Sequence, residues 1–351
     1  MGTQGDPPRD VSMADVARMA GTSKSTVSRV LANRGPVSAG MRERVLTAAR
    51  TTKFVPNAAA SALARSRNSR PGFRHNSLAV AFCVTDTGFS HFWDSTYEGL
   101  LGAAHELELG VVSCLVRQAE LQRGVPPPTL ARAQFDGLLI LPTAQLDYHA
   151  LLTFGPTVVF GRSTEDDCRL PTVAPDNRLG VATLVKHLCS LGHRRLEFVA
   201  HKTHRFTFRE RIDAFGHAAR GLVGDAPVRH TPDDSIEAYA DDFVRRPAAE
   251  RPTALMTVND NAAIQIINAL HHRGVHVPQQ VSVAGFDGIA AGALCAPPLT
   301  TWQVNWHEVG RQAVRMLADM ISQRTAGARV LVGGGLIPRA STACLETPVT
   351  A

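Results

Sequence analysis

The sequence predicts a small all-α head joined to an α/β body built of doubly wound parallel sheets in two lobes. Three observations predict it. Residues 11–54 carry three short amphipathic helical patterns separated by Gly-containing breaks. From Ser77 onward, short apolar runs alternate with amphipathic stretches, the pattern of parallel strands linked by helices. Charge divides at the same place: residues 1–74 hold 13 Lys/Arg against 4 Asp/Glu, a net +9, whereas the rest of the 351-residue chain is at −3.

The head is read first. Ser12 is a natural N-cap, and Val16, Ala17 and Ala20 line one face of the helix that follows. Gly21 breaks that helix and permits a tight turn. Ser23 caps a second helix running to about Asn33, with Val27, Val30 and Leu31 at i, i+3 and i+4 facing inward. Gly35-Pro36 ends it. Ser38 caps a third, with Val45, Leu46 and Ala49 inward. Two helices joined by a short Gly-containing turn form a helix-turn-helix, and the second would be the reading helix. Lys24, Ser25, Ser28 and Arg29 fall on its polar face, the first two at its N-terminal end. Arg and Lys can donate to guanine edges, and the small Ser28 lets the helix approach a phosphate. Taken one at a time, these are equally ordinary solvated residues. Their order of cap, turn, cap and basic face is what favours DNA.

Residues 55–67, VPNAAASALARSR, form a two-to-three-turn hinge helix capped by Asn57. Such a helix is marginal alone and needs a partner to form. Residues 68–76 then read as a polar linker containing Pro and Gly.

The segment ADVARMAGTSKSTVSRVLANRGPVS, with RERVL and FVPNAAASALARSR downstream, resembles the DNA-binding head of the LacI/GalR family of bacterial repressors. The resemblance implies a homodimer whose reading helices enter the major grooves of a near-palindromic operator. It implies hinge helices paired in the central minor groove, where Leu63, flanked by Ala64, wedges between base steps. Lys24, Ser25 and Arg29 fall at its base-reading positions. Thr22, Ser23, Thr26, Ser28 and Asn33 fall near the phosphates, and Asn57 opens the hinge. Gly40-Met41 stands where the family has a polar pair.

In the body, LAVAFCV (78–84), VVSCLV (111–116), GLLILP (137–142), TVVFG (157–161), LEFVA (196–200), ALMTV (254–258) and VSVAGF (281–286) read as buried parallel strands. Their number predicts two lobes with a ligand beyond the strands' carboxyl ends, in the cleft between them. The segments PDNRLGVATLVKHLCSLGHRRLEFV, RERIDAFGHA, ALMTVNDNAA, VSVAGFDG, PPLTT and IPRAST resemble the same family's effector module, itself similar to periplasmic sugar-binding proteins. The resemblance implies lobes of 77–174 with 304–331 and of 175–303 with 332–347, with crossings near 175, 303 and 332. It implies a small-molecule effector, of the carbohydrate class by default, contacted by His91, Phe92, Trp93, Arg211, Asn259, Asp287 and Trp306. Aromatic platforms and planar hydrogen-bonding groups are what a sugar site requires. Each has a plainer reading: Phe92 as core, Trp306 as a plug between lobes, Asp260 and Asp287 as helix caps. Asp176-Asn177 reads as crossover structure. The chain departs from the family at Gly288, where a second acid is usual, at Gly161 before Arg162, and in the short, Pro-interrupted stretch around Pro126-Pro127-Pro128.

Other classes find little support. No G-x-S-x-G, P-loop, H-E-x-x-H or strand-end G-x-G-x-x-G occurs, so neither an enzyme nor a cofactor is expected. Gly333-Gly334-Gly335 reads as a loop. Cys83, Cys114, Cys168, Cys189, Cys295 and Cys344 show no C-x-x-C spacing, which predicts buried free thiols and no metal site. The polar N-terminus MGTQGDPPRD, read as a disordered tail over 1–10, carries no apolar signal segment, and no run of 18 apolar residues occurs. Both predict a cytoplasmic protein off the membrane. The body alone would also suit a transporter's solute-binding protein, a reading that the head and the missing signal oppose. The tail LETPVTA has no heptad repeat and predicts no coiled-coil tetramer.

Overall fold

The computed structural model describes residues 12–31, 36–52, 54, 71–84, 93–117, 128–142, 149–161, 170–201, 206–231, 235–324 and 329–345. The chain divides into two compact units that part between Ser69 and Arg70. The predicted hinge helix, with Asn57, Leu63 and Ala64, lies outside the described residues, as do Asn33, His91 and Phe92.

The first unit contains α1 (Met13–Met19), α2 (Lys24–Leu31) and α3 (Ala39–Thr51). Asp15 closes the first turn of α1 by accepting from the Ser12 N–H at 3.0 Å and its hydroxyl at 2.6 Å. These bonds and the Arg18 guanidinium lower the Asp15 pKa to about 2. Ser38 caps α3, accepting from the Met41 N–H, so Gly40-Met41 does not spoil the helix start. Val16, Ala17, Ala20, Val27, Val30, Val45 and Ala48 form one small core. Ala48 takes an inward place on α3 that the sequence pattern gave to Leu46 and Ala49, which pack at its rim.

The second unit holds two six-stranded sheets. The first lobe contains β1 (Ser77–Val84), α4 (Trp93–Glu106), β2 (Gly110–Arg117), α5 (Pro128–Arg132), β3 (Gly137–Pro142), β4 (Thr157–Phe160) and β5 (Thr172–Pro175). The second contains α6 (Asn177–Ser190), β6 (Leu196–Ala200), α7 (Phe206–Val223), β7 (Val228–His230), α8 (Ile236–Arg245), β8 (Ala254–Thr257), α9 (Asp260–His271), β9 (Ser282–Asp287), α10 (Ala290–Leu294) and β10 (Thr300–Val304). The chain then returns through α11 (Trp306–Ile321) and β11 (Arg329–Val332) to the first lobe, and β12 (Gly334–Ile337) completes the second. Sheet orders are β11-β5-β4-β3-β1-β2 and β12-β10-β9-β8-β6-β7, every described pairing parallel except β10 with β12. The chain therefore passes between lobes at three places, and the Asp176 N–H ties two of them by donating to the Val332 carbonyl at 2.8 Å.

All seven strands expected from apolar runs are present; β5, β7, β10, β11 and β12 escaped notice. They are short, and β7 and β11 are half-exposed edges whose residues lack an apolar run. The loop expected at Gly333-Gly334-Gly335 is corrected: Gly334 and Gly335 belong to β12. A Cβ at Gly334 would strike the Gln303 carbonyl and the Trp302 indole, so the glycine is there to let the edge strand close on β10. The buried-thiol expectation also needs correcting: of the described cysteines only Cys114 is buried, Cys189 and Cys295 are half-buried, and Cys344 is exposed.

Helices α4 and α11 cross in backbone contact. A Cβ on Gly99 would overlap the His307 carbonyl, and one on Gly310 would overlap that of Thr96. The two glycines let the helices act as one body within the first lobe.

Candidate nucleic-acid interface and ligand site

In the head, Gly21 takes φ +61° in the turn between α1 and α2, with the Thr22 N–H donating back to the Ala17 carbonyl at 2.9 Å. The Ser23 hydroxyl caps α2 by accepting from the Thr26 N–H at 3.2 Å and also bonds the hydroxyls of Ser25 and Thr26. Val27 and Val30 anchor the inner face. Lys24, Ser25, Ser28 and Arg29 are exposed together on the outer face, with Thr22 and Thr26 half-buried beside them. No acid stands in the first turn of α2, so its N-terminal end is electropositive and open to phosphate or base edges. Arg29 rests its Nε on the Ser25 carbonyl at 3.4 Å, a weak contact that DNA can replace.

In the body, Arg211, Asp287 and Asn259 gather at the carboxyl ends of β8 and β9. Arg211 is 2% exposed. Its Nε donates to Asn177 Oδ1 at 3.0 Å, Nη1 to the Val258 carbonyl at 2.6 Å, and Nη2 to Asp287 Oδ1 at 2.9 Å. The guanidinium lies over the Phe286 ring at 3.9 Å. Asn177 in turn donates to Glu210 Oε2 at 2.9 Å, and Arg329 of β11 donates to Glu210 Oε1 at 2.8 Å. A continuous polar chain thus runs from the carboxyl end of β9 to the first lobe's sheet.

Asp287 adopts φ +120°, a region costly for any residue with a Cβ. Asp260 holds that loop. Its Oδ2 accepts from the N–H groups of Gly288 and Ile289, each at 2.8 Å, and its Oδ1 accepts from the Thr301 hydroxyl at 2.6 Å. Burial, reinforced by the nearby Asp287 charge, raises the Asp260 pKa to about 6. Gly288 takes φ +77°, and a Cβ there would press on Gln303, which leaves no room for the second acid of the family pattern.

The structure sorts the expected ligand residues. Arg211 and Asp287 are in contact, and Asn259 is their neighbour in the chain beyond Val258. Asn259 also caps α9, its Oδ1 accepting from the Ala262 N–H at 2.9 Å. Asp287 and Asp260 do not cap helices; they hold Arg211 and the following loop. Trp93 takes a packing place, 6% exposed and edge-on to Phe82 at 5.7 Å. Trp306 is half-buried at the start of α11, against the main core. Sequence reasoning missed Asn177 and Glu210 as partners of Arg211, and Arg329 as the far end of the chain. The only signal was their polarity beside predicted crossings. A separate depression of about 460 Å³ between β7 and α8 contains none of the expected residues. Two of its carboxylates, Asp241 and Asp242, are paired to Arg273 and Arg246. Among the described residues no cluster fit for a metal occurs, and no helix is long and apolar enough to cross a membrane.

Comparisons agree with this division. Residues 12–57 match the model of bacterial regulatory proteins of the lacI family, and residues 185–342 match a periplasmic binding protein-like domain. The chain is 28% identical over 342 residues to the HTH-type transcriptional repressor CytR of Escherichia coli strain K12, covering 95% of this chain and 97% of that protein. It is 28% identical over 332 residues to the repressor PurR of Haemophilus influenzae strain PittEE, covering 90% and 93%. Among solved structures, a Lac repressor dimer bound to operator and the anti-inducer ONPF matches with TM-score 0.71 and 22% identity, over 95% of this chain and all of that one. A CelR–cellobiose complex matches with TM-score 0.63 and 25% identity, over 94% and 99%. With a lacI-type head, a periplasmic-binding-protein-like body and full-length repressor relatives all in one order, the chain belongs to the lacI family of bacterial regulatory proteins.

Proposed function

We propose that this chain is a transcriptional repressor that binds a near-palindromic operator as a homodimer and is controlled by a small molecule between the lobes of its body. The observation that carries the reading is the outer face of α2, where Lys24, Ser25, Ser28 and Arg29 are exposed at the acid-free end of a helix locked by its own core. Lys24, Ser25 and Arg29 read bases; Thr22, Ser23, Thr26 and Ser28 meet phosphates, with Asn33 extending that set. Asn57, Leu63 and Ala64 belong to a hinge that bends the central minor groove. The body's first lobe is assigned to 77–174 with 304–331, and its second to 175–303 with 332–347. Arg211, Asp287 and Asn259 form the ligand floor, with His91, Phe92, Trp93 and Trp306 on the facing side. A carbohydrate is the proposed effector class, supported by the cellobiose held by the CelR relative and by the planar polar groups at the floor. The protein acts in the cytoplasm, without catalysis and without a cofactor.

Selection of bound duplexes from a random pool by the full-length protein tests the reading. Enrichment of a near-palindrome with two half-sites is expected. A selected pool with no symmetric motif would sink it.

A further inference from the structure

Where the chain enters the body, it is fastened more firmly than a linker needs to be. Residues 55–70 separate the described end of the head at Phe54 from Pro71. Immediately after, Phe73 is 4% exposed within the main core. Gly72 takes φ +87°, and a Cβ there would collide with the Ile321 carbonyl at the C-terminal end of α11. The backbone that follows is held by one carboxylate. Asp136, just before β3, accepts the N–H of Arg74 at 2.6 Å, of His75 at 2.9 Å and of Ser77 at 3.1 Å. Its own N–H donates to the Ser77 carbonyl at 2.7 Å, and the Asn76 carbonyl accepts from the Gly110 N–H at 2.8 Å. A carboxylate gathering three backbone N–H groups makes charge-assisted bonds stronger than neutral ones and fixes the direction of the strand it holds.

The other end of α11 begins at Trp306, at a crossing between lobes. A helix of 16 residues spans about 24 Å. We infer that residues 72–77 form a fixed anchorage for the DNA-binding head, seated on the C-terminal end of α11 and held by Asp136 as a positioning residue, so that a shift of α11 is delivered to the head. The inference rests on the DNA-binding reading above. An end that floated would average over directions and pass on none of the body's movement. An end clamped to α11 and Asp136 moves with them.

The test uses the full chain with Asp136→Ala, Asp136→Asn and Gly72→Ala. Three quantities are read: amide hydrogen exchange over residues 72–77, affinity for the duplex selected by the wild type, and affinity for a random duplex of equal length. Exchange over 72–77 should rise about tenfold in Asp136→Ala, less in Asp136→Asn, which keeps one acceptor oxygen. Specific affinity should fall about fivefold or more in the same order, a coupling-sized loss. Affinity for random duplex should stay within about twofold, because phosphate contacts belong to the head. Raised exchange with unchanged specific affinity overturns the anchorage. Equal loss on both duplexes makes Asp136 a purely structural residue and overturns it too. If the wild type enriches no duplex, the DNA-binding reading fails, and the anchorage fails with it.

Discussion

Arg29 is exposed on α2, held only by its long contact to the Ser25 carbonyl. Its loss should cost little in stability and much in reading. Arg29→Ala is expected to weaken binding to the selected duplex by about 1–3 kcal/mol while sparing random duplex, as titrations of the two DNAs will tell. Asp260 makes the opposite kind of prediction. Its folded-state pKa, near 6, lies above the ordinary carboxyl value. Its contribution to stability is therefore complete below about pH 4 and is lost as pH rises through 6, amounting to about 3 kcal/mol. Against wild type, Asp260→Asn should lack this component, so the difference in melting temperature between the two should change across pH 4–6 and flatten above it. Other carboxylates, Asp15 among them, push the other way, which is why the difference is the quantity to measure. At this scale the sequence was legible where a residue stands on a periodic face, as Val27 against Arg29. It was not where a side chain bonds across the fold. Nothing near Asn177 in the chain points to its partner Arg211, 34 residues on, which is itself joined to Asp287 another 76 residues away.

Among the elements, α7 contributes most to the candidate ligand site by carrying Glu210 and Arg211 side by side. Arg211 reaches the ends of β8 and β9; Glu210 reaches β11. Removing one partner from a buried ion pair leaves an uncompensated charge, so Asp287→Ala is expected to lower unfolding free energy by about 3–5 kcal/mol in urea titrations, with ligand response lost. A smaller loss for Asp287→Asn would follow from the acceptor oxygen it keeps for Arg211. The elements most easily read from sequence were the seven buried strands, since both faces of a central parallel strand are apolar. The missed strands show the limit of that signal. β12 owes its place to the absence of side chains at Gly334 and Gly335, and β7 is a three-residue edge; neither carries hydrophobic periodicity.

For the whole molecule, the close crossing of α4 and α11 joins the cleft side of the first lobe to the anchorage of the head. Gly310→Ala must push the helices apart at Thr96, and a drop in melting temperature of several degrees is expected by calorimetry, consistent with a cost of about 1–3 kcal/mol for overpacking. The two-lobe architecture was legible from strand-helix alternation. The handover between lobes was legible only through family resemblance, because the crossings leave no local mark.

Those crossings also govern how the molecule is made. Synthesis proceeds from the N-terminus, so β1 to β5 and α4 emerge early. Their remaining partners, α11 and β11, follow only after the second lobe has been almost entirely translated, about 200 residues past the end of α4. At typical elongation rates that delay is about 10–40 s. Throughout it, the face of α4 bearing Leu100, Ala103 and Ala104 lacks α11, and β5 lacks β11 along one edge. The growing chain thus carries a finished head on a half-built lobe, and it is during this interval on the ribosome that a chaperone has something to hold.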